Sequence, residues 1–264
     1  TYLYARNDGG YYTTCQTSVA IDYDLNGGTG NMSNTRVKSG SDYIIPTAVP
    51  TQVGKTFTHW SDGTNTYAAG ATINDLTNDI TLTAQWKVAQ HTVTLNSNYP
   101  DGETGTFKDK GGNTISENLV LTYDYNTASM TIEDLYTSLT LDGYEFGGWY
   151  NAKGVDPGEV SGSKCTETNT ITGNKTYYAK WSKLHTITFS TGTNNPTIDS
   201  MEGTSETGIT LPIGPTPTCT DWAFAGWATA SVTETTTEPT LLSQGNNYKP
   251  TEDCTLYAVY SYTE

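Results

Sequence analysis

Gly143-Tyr-Glu-Phe-Gly-Gly-Trp149 decides the fold, because the same kind of phrase, closing on a tryptophan, occurs at two other places in the chain. The other copies are Gly54-Lys-Thr-Phe-Thr-His-Trp60 and Asp221-Trp-Ala-Phe-Ala-Gly-Trp227. A second phrase follows each copy, as Thr81-Leu-Thr-Ala-Gln-Trp86, Thr176-Tyr-Tyr-Ala-Lys-Trp181 and Thr255-Leu-Tyr-Ala-Val-Tyr260. Repetition on this scale predicts several small folding units in tandem rather than one large core.

An alternating strand precedes each pair of phrases, at 19–25, 91–95 and 185–189. In the second of these, Val93 and Leu95 fall on one face and the threonines on the other. The closing phrases alternate in the same way. Each unit is therefore predicted to hold a sheet that is buried on one side.

The recurring aromatic residues are predicted to form the structural core of each unit, since a small module depends on its few large side chains. These residues are Phe57, Trp60, Trp86, Phe146, Trp149, Trp181, Phe224, Trp227 and Tyr260.

A helix is predicted over 131–139, because Thr131 can cap it and apolar residues recur there at helical spacing. The matching stretches of the other units contain prolines, which oppose a helix and favour an extended crossover. The predicted fold class is β-rich α+β, built of small modules in tandem.

The repeats divide the chain at 17–88, 89–183 and 184–264. Residues 1–16 are expected to form either a hairpin or the closing strand of a preceding repeat. The connectors 87–90 and 182–184 are too short to act as flexible tethers, so we expect an elongated array.

The net charge is −15, with 13 Lys and Arg against 28 Asp and Glu. A nucleic-acid partner needs basic surfaces and is therefore not expected. No run approaches the ~18 apolar residues of a spanning helix, so membrane insertion within this segment is not expected either. We expect an extracellular, monomeric segment, with any export signal or anchor outside it.

The polar residues do not suggest an active site, because a catalytic triad needs a histidine near both a nucleophile and a carboxylate, and nothing in the sequence singles out one of the histidines. Asp22, Asp24 and Asn26 match the opening of a calcium loop, but the glutamate at its twelfth position is replaced by Ser33. We predict no catalytic residues, no cofactor and no metal site.

The cysteines lack the spacing of a zinc site. Cys219 and Cys254 lie in one repeat, where they either form a disulfide or are both small buried side chains. Cys15 and Cys165 are expected to be free. Trp222 lies outside the recurring aromatic positions; core packing is its favoured role, and contact with a ligand is the alternative.

The ordered phrases resemble the Listeria–Bacteroides repeat, or internalin B-repeat, over roughly 17–264. Repeat one carries the Asn26-Gly27-Gly28 turn of that family, and repeat two has its Gly147-Gly148-Trp149 in full. Repeat three departs from the pattern by ending in Tyr260.

The resemblance implies β-grasp-like modules in bacterial surface proteins, without shared catalytic residues. It implies a stalk or adhesion segment, whose partner would be a host or bacterial surface protein or a glycan. The alternative is a carbohydrate- or protein-binding module that uses repeat three.

Overall fold

The computed structural model describes residues 17–262, and their regular structure is nearly all β. The predicted hairpin or closing strand at 1–16 and the thiol of Cys15 lie outside these residues. In repeat one the strands are β1 Ser18–Asp24, β2 Thr35–Lys38, β3 Ser41–Ile44, β4 Lys55–Ser61, β5 Thr66–Tyr67, β6 Thr72–Leu76 and β7 Ile80–Val88.

In repeat two they are β8 Gln90–Asn96, β9 Thr106–Asp109, β10 Asn118–Asp124, β11 Tyr136–Thr140, β12 Tyr144–Lys153, β13 Val160–Cys165 and β14 Lys175–Lys183. In repeat three they are β15 His185–Ser190, β16 Ile198–Gly203, β17 Ile209–Thr210, β18 Trp222–Ala228, β19 Asn247–Tyr248 and β20 Cys254–Tyr262.

Each repeat builds a mixed sheet around its closing strand. The strand orders are β2-β1-β7-β4-β5, β10-β8-β14-β12-β13 and β16-β15-β20-β18. The opening strand runs parallel to the closing strand on one side, and the strand that carries the Phe-x-x-Trp phrase runs antiparallel to it on the other. The first and last strands of each repeat are therefore neighbours.

A β-bulge explains the spacing of the Phe-x-x-Trp phrase. Residues three apart on a regular strand point to opposite faces. The pairing register slips by one residue between Phe146 and Gly148, and slips at the same place occur in β4 and β18. The extra residue brings Phe146 and Trp149 to one face, where their ring centroids lie 5.6 Å apart.

The predicted helix at 131–139 is wrong. A 3-10 turn, Ile132–Leu135, occupies its first part, and β11 begins at Tyr136 and pairs with β9. Thr131 makes no side-chain cap. The run from Tyr136 to Thr140 is rich in β-branched and aromatic residues and also alternates, so it fits a strand as well as a helix. Residues 17–262 contain no α-helix, and the α part of the predicted class is not found.

Two-stranded sheets occupy the place of a covering helix. They pair β3 with β6, β9 with β11 and β17 with β19. In repeat one, Ile73 and Leu76 from β6 join the core of Ile21, Trp60 and Leu82. Ile209 from β17 packs in the same way with Trp227 and Leu256 in repeat three.

The chain divides into two compact units. The first extends to Thr92 and adds Leu121–Ser129 and Asn169–Asn174; the second holds Val93–Val120, Met130–Thr168 and the chain from Lys175 onward.

Candidate functional site

The predicted core residues form a three-ring cluster in each repeat. Trp60, Trp149 and Trp227 are fully buried, and Trp181 is buried. Phe57, Trp86, Phe146, Phe224 and Tyr260 are half-buried. The phenylalanine lies between two rings; Phe146, for example, is 5.6 Å from Trp149 and 5.5 Å from Trp181. Such aromatic contacts add to the burial of the rings.

The closing aromatic residue of each repeat also donates a hydrogen bond to the turn after the opening strand. Trp86 Nε1 donates to the Leu25 carbonyl at 3.3 Å, and Trp181 Nε1 donates to the Ser97 carbonyl at 2.7 Å. In repeat three the Tyr260 hydroxyl donates to the Thr191 carbonyl at 2.8 Å. Tyrosine can replace tryptophan here because both rings carry a donor at the far end.

Two residues of the calcium-like pattern, Asp24 and Asn26, make structural hydrogen bonds. The Asn26 side-chain amide donates to the Ala84 carbonyl at 3.0 Å, and Asp24 Oδ1 accepts the Asn26 backbone N–H at 2.8 Å. In repeat two the Asn98 amide donates to the Ala179 carbonyl at 2.9 Å. Sequence reasoning missed Asn98, although its position after an alternating strand matches that of Asn26.

These asparagines also adopt the left-handed backbone conformation, with φ of 48° at Asn26 and 46° at Asn98. Asparagine tolerates this region better than most residues. Repeat three places Gly192 there, with φ of 81°. Within residues 17–262 no group of three or more His, Cys, Asp or Glu is arranged to hold a metal ion.

Trp222 is the predicted contact residue that stands apart from the cores. Its side chain is 46% exposed, so it does not take the core role that the sequence favoured. It packs edge-on against Tyr262, which is 57% exposed, with ring centroids 5.8 Å apart. The two residues are paired across β18 and β20. They form an exposed aromatic surface at one end of the third sheet.

An open cleft of about 1030 Å³ lies beside this aromatic pair. One wall is the threonine-rich loop from Val232 to Pro239, which contributes Glu234 and Glu238. The described residues that line the cleft include no Lys or Arg. The cleft therefore offers aromatic rings, hydroxyl groups and negative charge, which are groups that stack and form hydrogen bonds.

The cysteines of repeat three are free, so the disulfide alternative for Cys219 and Cys254 is not realised. Cys219 is exposed, whereas the Cys254 thiol lies 3.5 Å from the Tyr248 hydroxyl. This hydrogen bond is the main cause, and burial the second, of a rise in the pKa of Tyr248 to about 12. Cys165 is also free, as expected.

His91 and His185 lie at the starts of β8 and β15, whereas His59 lies within β4. His91 faces the Tyr125 ring with centroids 6.1 Å apart, and His185 Nδ1 lies 3.7 Å from a carboxylate oxygen of Asp253. In the part of the chain from 17 to 262, no helix has the length and apolar character needed to cross a membrane.

Comparison with known proteins matches the chain to the Listeria-Bacteroides repeat domain over 20–85, 104–180 and 185–259. The chain is also 28% identical over 191 residues to a "Putative Gly-rich membrane protein" of Evansella cellulosilytica. That alignment covers 72% of this chain and 18% of the relative, so the chain spans about a fifth of the relative's length. With three tandem matches that follow its repeated sheets, this chain belongs to the Listeria-Bacteroides repeat family.

Proposed function

We propose that this chain is a non-enzymatic segment of a bacterial cell-surface protein that acts as a stalk or adhesion region. The observation that carries the proposal is the direct joining of one repeat to the next. Ala89 alone separates β7 from β8, and Leu184 alone separates β14 from β15. The relative's name as a membrane protein supports a surface location for the whole protein.

The joint residues are held by the preceding repeat, which supports a stiff connection. The Ala89 N–H donates to the Gly54 carbonyl at 2.9 Å, and the Leu184 N–H donates to the Gly143 carbonyl at 2.9 Å. A joint that is hydrogen-bonded in this way has little backbone freedom. We propose β-grasp-like modules at 17–88, 89–183 and 184–264 that form an elongated, monomeric, extracellular array without a cofactor.

Small-angle scattering tests this array. A compact globule of 264 residues has a radius of gyration of about 18 Å and a maximum dimension of about 50 Å. The array should reach ~80–90 Å. Matched variants with a Gly-Ser insertion after Ala89 or Leu184 should give broader distance distributions than the parent. A maximum dimension near that of the globule would refute the stalk.

A second candidate function is carbohydrate or protein-ligand binding by repeat three, and the exposed Trp222 beside its cleft favours it. A glycan array tests whether the ligand is a carbohydrate. Saturable binding that is lost in Trp222→Ala and kept in Val155→Ala, another exposed apolar position, would assign a sugar ligand.

A further inference from the structure

The strand that carries the Phe-x-x-Trp phrase has an open outer edge in repeat three. In repeats one and two the outer side of that strand pairs with a further strand, β5 or β13. Within residues 17–262, β18 is the last strand of its sheet, and its outer side makes a single bridge, between Trp227 and Leu242. The edge of the third sheet is therefore uncovered over most of the length of β18.

The chain leaves β18 as soon as this bridge is made. The backbone groups of Trp227 and Leu242 exchange two hydrogen bonds, at 2.9 Å and 2.7 Å. After a turn, β19 pairs with β17 instead of β18. In the described chain, residues 222–226 are thus a strand edge of about 17 Å with no strand on the outer side. Such an edge presents backbone donors and acceptors with which another chain can pair.

The cleft of about 1030 Å³ lies at this edge. Trp222 and Ala225 line it from β18, and the loop from Val232 to Pro239 forms one wall. The chain just beyond that loop comes close to the strand, because a Cβ on Gly226 would lie 2.9 Å from the Leu241 side chain. The volume is at the upper end of the range for ligand sites, about 300–1,000 Å³. An extended chain laid against β18 would occupy this cleft.

The side chains around the cleft favour a cationic ligand. Glu234 and Glu238 contribute two carboxylates, and the described residues that line the cleft include no Lys or Arg. The exposed rings of Trp222 and Tyr262 lie at the same cleft, and an aromatic face attracts an ammonium or guanidinium group. The net charge of −15 also attracts a basic segment and repels an acidic one.

We propose that this cleft binds an extended basic segment of a partner protein, which adds as a strand to the outer edge of β18 at residues 222–226. The backbone of the segment pairs with the edge. Lysine or arginine at every second residue of the segment projects from one face and meets the two carboxylates and the aromatic pair. This inference rests on the second candidate function, ligand binding by repeat three, and specifies the ligand as a cationic peptide.

The test measures the binding of a fluorescein-labelled eight-residue peptide, in which lysine and threonine alternate, to the whole chain by fluorescence anisotropy. The salt concentration is about 150 mM, at which exposed charges more than ~8 Å apart are largely screened. We expect saturable binding with one peptide per chain. The same peptide with glutamate in place of lysine should not bind.

Two further peptides separate strand addition from attraction by charge. One is N-methylated at every lysine and the other at every threonine, so both keep the full positive charge. Because the N–H groups of alternate residues point to the same side of a strand, only one of the two sets can face β18. We expect one N-methylated peptide to bind at least tenfold more weakly than the parent peptide and the other to bind nearly as well.

Variants of the chain test the proposed side-chain contacts. Glu234→Gln combined with Glu238→Gln should weaken binding about three- to tenfold, as expected for two exposed ion pairs. The matched control combines Glu103→Gln with Glu133→Gln, which are exposed in repeat two and change the net charge by the same amount. This control should leave the affinity unchanged. Trp222→Ala should weaken binding several-fold, and thermal unfolding establishes that each variant has folded.

Equal affinities of the two N-methylated peptides, or equal weakening by the two pairs of glutamine substitutions, would overturn the inference, because binding would then follow charge alone. If the lysine peptide does not bind but a glycan does, and Trp222→Ala abolishes that binding, the inference fails while ligand binding by repeat three survives. If neither the peptide nor any glycan binds, both the inference and the second candidate function fail.

Discussion

The indole N–H of Trp181 donates a 2.7 Å hydrogen bond to the carbonyl of Ser97, which ties the last strand of repeat two to the turn after its first strand. Because Ser97 is buried, its carbonyl has little access to water. The bond fixes the closing strand to the turn that follows the opening strand. Trp86 and Tyr260 make the equivalent bond in their own repeats.

Trp181→Phe should destabilise repeat two by about 1–3 kcal/mol, because it leaves the buried Ser97 carbonyl without its donor. Urea unfolding followed by tryptophan fluorescence would measure the loss. Trp86→Phe serves as the control and should cost less, since the bond to Leu25 is longer at 3.3 Å. Equal, negligible costs for both substitutions would contradict the role given to this donor.

Trp149→Ala should cost about 3–5 kcal/mol, because it removes a fully buried ring and leaves a cavity. Trp222→Ala should change the stability of the isolated chain by no more than about 0.5 kcal/mol, as expected for an exposed position. Thermal unfolding of the two variants gives the comparison, and similar losses would show that Trp222 belongs to a core after all.

Asn98→Ala should be more damaging than Asn98→Gly. Both remove the amide that donates to the carbonyls of Glu159 and Ala179 at 2.9 Å. The alanine also has to adopt φ near 46°, which costs a further ~1–2 kcal/mol and is free for glycine. Chemical denaturation would rank the variants, and the opposite order would exclude backbone strain as a factor at this turn.

Stability should fall at alkaline pH. Burial raises the pKa of Tyr177 to about 12, and the pKa of Tyr248 is raised to about 12 by its hydrogen bond with Cys254. An unfolded tyrosine titrates near ~10. The folded state therefore holds these protons more tightly than the unfolded state. The resulting contribution to the free energy of unfolding is fully present below pH ~10 and is lost as the pH rises through 12.

Denaturant unfolding at fixed pH values between 9 and 12 measures this effect, with tyrosinate absorbance as the second readout. Tyr177→Phe removes one of the titrating groups and should flatten the decline. A free energy of unfolding that stays constant over this pH range would contradict the raised pKa values of the two tyrosines.

Gly54→Ala should be more destabilising than Gly63→Ala. Both glycines have positive φ, at 71° and 92°, so both substitutions introduce backbone strain. A Cβ at Gly54 would also collide with the Tyr125 ring, whereas nothing lies within 4 Å of one at Gly63. The collision should add about 1–3 kcal/mol, and equal losses in thermal unfolding would show that the ring moves aside freely.

The repeated phrases predict the sheets and their aromatic clusters well, because apolar alternation and large rings leave strong local signals. Phe146 and Trp149 could be assigned to a core, but the bulge that brings them to one face could be seen only in the structure. The helix prediction failed because Ile132, Leu135 and Leu139 fit a helical period while the run after Leu135 also fits a strand.

The candidate site was harder to predict from sequence. Trp222 lies two residues before Phe224 in a phrase of core residues, and its local pattern favoured burial. Its exposure follows from its pairing with Tyr262 at the end of both strands, which is a long-range property. The contact between Tyr125 and Gly54 was missed for the same reason, because the two residues are far apart in the sequence.

The parallel pairing of the first and last strands determines how a module would carry tension. The chain enters each repeat at the start of its opening strand and leaves at the end of its closing strand, as with β1 and β7. Because these strands are parallel neighbours, a pull on the two ends acts along them in opposite directions. The hydrogen bonds between them are then sheared together rather than opened one after another, and the one-residue joints pass the force from module to module without slack.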